Sequence, residues 1–220
     1  MKELTDFSDL VALMRARLAR ADEAGVREGF GAADEGGAAL RRAAVALVLR
    51  RNLSEAEMLV IKRSVSERDH WSGHLALPGG RVEEGDASLH AAAVRETFEE
   101  VGIDLEAGGE VLGRLGVVEP KSPLVPRVSV APFVAVAPAE YHVRREGEVT
   151  PPLVLSEEVA AAFWVPVSKL RAGGRSDVFK MAFAGVEREW PAYPSEHGPI
   201  WGITERILTE FLAIAAEARP

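Results

Sequence analysis

Glu96, Glu99 and Glu100 fall within five consecutive positions of the stretch "RETFEEVG", with Arg95 directly before them. On a helix, positions i, i+3 and i+4 share one face, so three carboxylates gather there. Like charges so arranged repel, and a positive partner is needed. Two candidates offer themselves. Arg95 stands four residues before Glu99 and can pair with it. A divalent cation is the stronger candidate, because hard cations seek clustered carboxylate oxygens. Such a cluster suits chemistry on phosphate, where a metal ion neutralises negative oxygens.

The elements around this stretch must hold it rigidly. From Asp86 to about Val101 the spacing predicts a helix, with Asp86 as N-cap and Gly102 as stop. The Gly79-Gly80 pair before it reads as a tight turn after a short strand, "HLAL". Upstream, "AAVALVLR" and "MLVIKR" read as neighbouring strands. Further strands are expected at "EVLGRLGVV", "RVSVAPFVAVA", "AAFWVPV" and "VFKMAFAG". "PKSPLVP" and "YHVRREGEVTPP" read as long loops. Amphipathic helices are expected at "FSDLVALMRARLARA" and "IWGITERILTEFLAIAAEA". Strands outnumber helices and do not alternate with them, which points to an α+β fold with a mixed sheet between helices. Residues 1–38 read as an N-terminal helix and linker, and 39–220 as the main domain.

Composition sets limits. The chain has 220 residues, 47% of them hydrophobic, enough for one domain with a core. A net charge of -8 gives no electrostatic case for nucleic acid or an anionic membrane. The absence of cysteine excludes disulfides, thiolate metal sites and thiol nucleophiles. No apolar run approaches the roughly 20 residues needed to span a bilayer. The start "MKELTDFSDL" has acids where a secretory signal has a basic end. The chain reads as cytoplasmic.

"LPGGRVEEGDASLHAAAVRETFEEVGI" as a whole resembles the Nudix box, G-x5-E-x7-R-E-U-x-E-E-x-G-U, with U a bulky aliphatic. Arg95, Glu96, Glu99, Glu100, Gly102 and Ile103 are in register. Gly80 stands fifteen residues before Arg95, one more than the box allows; Asp86 stands at the first glutamate, and Thr97 at an aliphatic position. The first two departures are similar to the coenzyme A diphosphatase branch. That branch carries L-L-T-x-R-S-x3-R-x3-G-x3-F-P-G-G upstream, and here "LVIKRSVSERDHWSGHLALPGG" matches at Arg63, Ser64 and Arg68. Gly73 comes one residue late and Leu77 replaces the Phe, while "IWGITERIL" is also similar to the branch.

The resemblance implies a Nudix fold and Mg2+- or Mn2+-dependent hydrolysis of a nucleoside diphosphate derivative. Its preferred substrate would be coenzyme A or an acyl derivative, cut to 3′,5′-ADP and 4′-phosphopantetheine. Glu96, Glu99, Glu100 and the Gly80 carbonyl would hold metal, and Arg95 would hold a carboxylate in place. Glu96 is the chosen general base; Glu146, Glu148, Glu157 and Glu158 stay unranked as loop alternatives. Arg63, Arg68 and Arg81 are candidates for phosphate contacts. Trp71 either stacks on a base or packs. His70, His74 and His90 lack metal spacing and read as structural, and Trp164 reads as core. The resemblance also allows a homodimer.

Two other readings remain. The first is a Nudix hydrolase of ADP-ribose or another nucleotide; Pro120 is near a marker position for ADP-ribose but out of register. The second is a non-catalytic, nucleotide-sensing module, whose signature would be loss of the metal glutamates.

Overall fold

The structure is a computed structural model. It describes residues 6–18, 41–66, 72–120, 127–183 and 186–216. The first helix, α1 (Phe7–Arg17), is capped by Asp6, whose side chain accepts from the Ser8 and Asp9 amides. Strands β1 (Arg41–Asn52) and β2 (Glu55–Arg63) form the expected hairpin, with Leu53 at positive φ in its turn. Then follow β3 (Leu75–Ala76), β4 (Gly79–Arg81), α2 (Leu89–Val101), β5 (Glu110–Arg114) and β6 (Val128–Val136). The chain continues through β7 (Val159–Pro166), α3 (Val167–Gly173), β8 (Asp177–Phe183), β9 (Val186–Tyr193), β10 (Ile200–Trp201) and α4 (Gly202–Ala216).

Among the described residues the main sheet has seven strands. Its path is β3-β2-β1-β6-β5, with β4 added to β1 and β7 to β2. The β1–β6 pair is parallel and the other ladders are antiparallel, so the sheet is mixed, as expected. The remaining strands make a three-stranded antiparallel sheet, β10-β9-β8. Successive side chains of a strand point to opposite faces, so β1 serves two cores. Leu47 and Leu49 pack with Leu10 and Met14 of α1 and with Ile207 and Phe211 of α4. Ala44 packs with Ala92 and Ala93 of α2, and Ala46 and Val48 pack with its Val94 and Val101. This is the layout that the resemblance implies: a mixed sheet between helices, with α2 on one face and α1 and α4 on the other.

Several expectations need correction. The N-cap of α2 is Ser88, not Asp86: the Ser88 hydroxyl accepts from the Ala91 amide at 3.0 Å. Gly79-Gly80 is not only a turn but part of β4, paired with Val45 and Ala44 of β1. Strand β9 and helix α3 are additional to the elements expected from sequence, and Ile200–Trp201, expected as the start of the last helix, form strand β10 instead. The "PKSPLVP" loop falls almost wholly outside the described residues. Gly102 does stop α2, at φ 74°. Among the described residues, no helix is long and apolar enough to cross a membrane.

Candidate active site

The site starts at the double glycine of β4. Gly79 has φ 150°, and a Cβ there would lie 2.3 Å from the Ala44 carbonyl oxygen, so the close approach to β1 requires glycine. A Cβ on Gly80 would lie 2.5 Å from the Glu96 carboxyl carbon. The missing side chain is the space that the Glu96 carboxylate fills. Glu100, one turn along α2, accepts a hydrogen bond from the Gly79 amide at 2.8 Å. Glu96 and Glu100 thus both lie against the edge strand β4.

Arg95 organises the other flank. Its Nε donates to Asp86 Oδ1 at 2.9 Å and its Nη2 to Asp86 Oδ2 at 3.0 Å. Its Nη1 donates to Glu99 Oε2 at 2.8 Å and lies 3.0 Å from Glu96 Oε1. Nη2 also donates to the Arg81 carbonyl at 3.0 Å, which ties α2 to β4. Asp86 Oδ2 in turn accepts from the Glu83 amide at 2.8 Å. The planar fork of arginine suits this many acceptors, and an ammonium would not. Its hydrogen bonds hold the buried Asp86 carboxyl below the usual carboxylate range and push Arg95 further up. Thr97, at an aliphatic box position, is fully buried and satisfies its hydroxyl on the Ala93 carbonyl at 2.7 Å.

Burial raises the Glu96 carboxyl above its ordinary value, against the pull of Arg95. Burial likewise pushes Glu100 up to about 7, despite the Gly79 amide, and the Glu96 charge adds to the rise. The negative charge of Glu158 raises both groups further. Two long-range backbone attachments bring Glu158 here. The Val154 and Ser156 amides donate to the Val101 and Glu100 carbonyls, each at 3.1 Å. The Ser64 amide donates to the Glu158 carbonyl at 2.8 Å, and its hydroxyl to the Glu157 carbonyl at 2.8 Å. The segment is therefore clamped between the end of α2 and the end of β2. Glu148 instead caps a separate turn, accepting from the Arg144 and Arg145 amides.

The donor set fits a hard dication: carboxylates held against a glycine edge and raised in pKa by burial and by one another. Among the described residues no three histidine, aspartate or glutamate side chains are already gathered as a cage. Glu99 is the most exposed of the α2 trio, at 55%, and its bond runs to Arg95.

A cavity of about 300 Å3 opens beside β4. Gly79, Gly80, Arg63 and Arg81 line it together with Trp201 and Ile203, so two of the three arginines singled out from sequence meet there. The third, Arg68, lies outside the described residues, as do His70 and Trp71. His74 packs edge-on against Phe179 and Trp201, at 5.3 and 5.0 Å between ring centroids. His90 lies against Phe133 at 5.7 Å. Trp164 is half-buried and takes the Arg50 guanidinium 4.4 Å from its ring.

Residues 40–183 match the model of the NUDIX domain. A protein of Citrobacter koseri described as "Uncharacterized Nudix hydrolase NudL" is 35% identical over 184 residues, spanning 82% of this chain and 85% of the relative. A protein of the same description from Klebsiella pneumoniae is 34% identical over 181 residues, with the same coverage. The crystal structure of a MutT/nudix family protein from Enterococcus faecalis superposes with a TM-score of 0.53 at 18% identity, over 80% of this chain and 62% of that one. That likeness speaks for the fold alone.

Proposed function

The chain belongs to the NUDIX domain family and is a Nudix pyrophosphohydrolase of nucleoside diphosphate derivatives; on that premise we propose that coenzyme A or an acyl-coenzyme A is its preferred substrate. Nudix hydrolases use divalent metal ions, and Mg2+ or Mn2+ is the ion proposed here. The observation that carries the substrate reading is a meeting of distant segments. Arg63 of "KRS" and Trp201 to Thr204 of "WGIT" line one cavity with Gly79 and Gly80 of the box. The first two segments are the ones outside the box that resemble the coenzyme A branch.

Glu96, Glu99, Glu100 and the Gly80 carbonyl are the proposed metal ligands. When bound, the ion supplies positive charge that neutralises the diphosphate oxygens. Glu96 accepts the proton of the attacking water, a role helped by the burial that raises its pKa. The water oxygen bonds to one phosphorus and the bridging P–O bond breaks, leaving 3′,5′-ADP and 4′-phosphopantetheine. Arg95 holds Asp86, Glu96 and Glu99 in place. Of the four loop glutamates, Glu158 is the one whose charge acts on Glu96 and Glu100, and we assign it a supporting role beside them. Arg63 and Arg81, and by sequence Arg68, are the proposed phosphate contacts.

The test is product analysis by mass spectrometry with Mg2+ and, separately, coenzyme A, ADP-ribose, NADH and a dinucleoside polyphosphate. Fastest release of 3′,5′-ADP from coenzyme A supports the reading. A clear preference for ADP-ribose removes it. Nucleotide binding without any turnover would point to a sensing module.

A further inference from the structure

The cavity lies on one face of the sheet and the carboxylates on the other. In the β1 ladder Ala43 stands opposite Arg81 of β4 and opposite Val130 of β6, while Arg41 stands opposite Val128. Directly opposed residues share a face. Ala44, one residue on, stands opposite Gly80 and Ala131 and packs toward α2. The two sides come together at the open edge of β4, where Gly79 and Gly80 line the cavity and touch the carboxylates. A diphosphate at that edge has one of its two organic arms directed into the cavity.

The lining chemistry chooses between the arms. The walls are aliphatic: Val45, Leu77, Val128 and Val130, with Ile203 and Ile207 on successive turns of α4. The polar side chains are Arg41, Arg63, Arg81, His74 and Thr204. Arginine only donates hydrogen bonds, so the amino group of an adenine would find few side-chain acceptors. The aromatic rings present are His74 and Trp201, and Trp201 is stacked on Phe179 at 4.1 Å.

We infer that this cavity takes the pantetheine-type arm of the substrate and leaves the nucleotide outside it, with Val128 and Ile203 limiting the bulk of the chain admitted. The inference rests on the coenzyme A reading. Arg63 and Arg81 then bracket the anionic end of the guest, its amide and hydroxyl oxygens can accept from the arginine donors, and its methyl and methylene groups meet the aliphatic walls.

The test uses the two halves of coenzyme A as separate probes. Calorimetric titration measures 4′-phosphopantetheine and 3′,5′-ADP binding to the wild-type chain, Val128→Phe and Ile203→Trp, each variant first shown to melt cooperatively. Val128 is only half-buried, so the added ring fills the cavity rather than the core. The expected result is at least tenfold weaker 4′-phosphopantetheine binding in both variants, with 3′,5′-ADP changed less than twofold. Selective loss of 3′,5′-ADP would show that the cavity holds the nucleotide and would overturn the inference. Equal loss of both probes, or no change, or no 4′-phosphopantetheine binding to the wild type, would overturn it too. Failure of the coenzyme A reading looks different: the wild-type chain would cleave ADP-ribose and leave coenzyme A intact.

Discussion

Arg95 and Asp86, nine residues apart, join through two parallel hydrogen bonds of 2.9 and 3.0 Å. The aspartate side chain is 5% exposed and the arginine 24%. The pair fixes the acidic loop against the carboxylate face of α2. Without Asp86, Arg95 keeps Glu96, Glu99 and the Arg81 carbonyl, so what is lost is a pair of charge-assisted hydrogen bonds. Asp86→Ala is expected to lower stability by about 2 kcal/mol, read as a shift in the urea midpoint. Arg95→Lys keeps the charge and loses the fork, so kcat should fall with a smaller stability loss.

The two glycines of β4 should respond differently. Gly79→Ala strikes backbone, the Ala44 carbonyl, in an unfavourable conformation; a loss of about 3 kcal/mol is expected. Gly80→Ala strikes only the end of the Glu96 side chain. Its melting temperature should stay near the wild-type value while kcat drops about 100-fold, the usual penalty for a misplaced catalytic group. Steady-state kinetics beside thermal melts separate the two.

Glu158→Gln should lower kcat by about tenfold or more, while Glu148→Gln, in its separate turn, should leave kcat within about twofold of wild type. A parallel assay of the two variants decides. Equal effects would remove Glu158 from the site.

His142 should make stability sensitive to acid. It is buried, its Nδ1 accepts from the Arg51 amide at 2.8 Å, and its Nε2 contacts the Ala137 carbonyl at 2.9 Å. Burial holds its pKa below the ordinary value. The unfolded chain therefore binds the proton first as pH falls. The stabilisation is complete above the ordinary value of about 6.5 and is lost as pH drops toward the folded value. Glu100, raised by burial, acts in the opposite direction. The difference between wild type and His142→Gln isolates the histidine: between about pH 7.5 and 5.5 the urea midpoint of the wild type should fall relative to that of the variant.

Helix α1 is part of the main core. Leu10 and Met14 are fully buried in the cluster that includes Ile207 and Phe211 of α4. Leu10→Ala should cost about 3 kcal/mol, measured by urea unfolding.

What could be read from sequence was what local spacing encodes. The carboxylate face of α2 follows from i, i+3, i+4 geometry, and Gly102 from the need for a left-handed stop. Asp86 was misread as the cap because Ser88, two residues on, suits that role equally well; only the folded loop shows Asp86 turned to Arg95 instead. Glu158 could not be ranked among the loop glutamates because its position depends on backbone bonds to Ser64 and Glu100, distant in sequence. Strand β9 shows no apolar alternation in the sequence, because "VEREWPAY" carries three consecutive exposed charges, Glu187, Arg188 and Glu189, and a proline. The cavity was invisible for a similar reason: its walls come from β1, β3, β4, β6 and α4.

The carboxylates of α2, held against the β4 glycines, are the proposed metal site of the hydrolase. Calorimetric titration of Mn2+ into the wild-type chain and into Glu96→Gln and Glu100→Gln tests it without relying on turnover. Mn2+ is expected to bind the wild type and to bind each variant at least about tenfold more weakly, with the fold retained by circular dichroism. Unchanged Mn2+ affinity in both variants would contradict it.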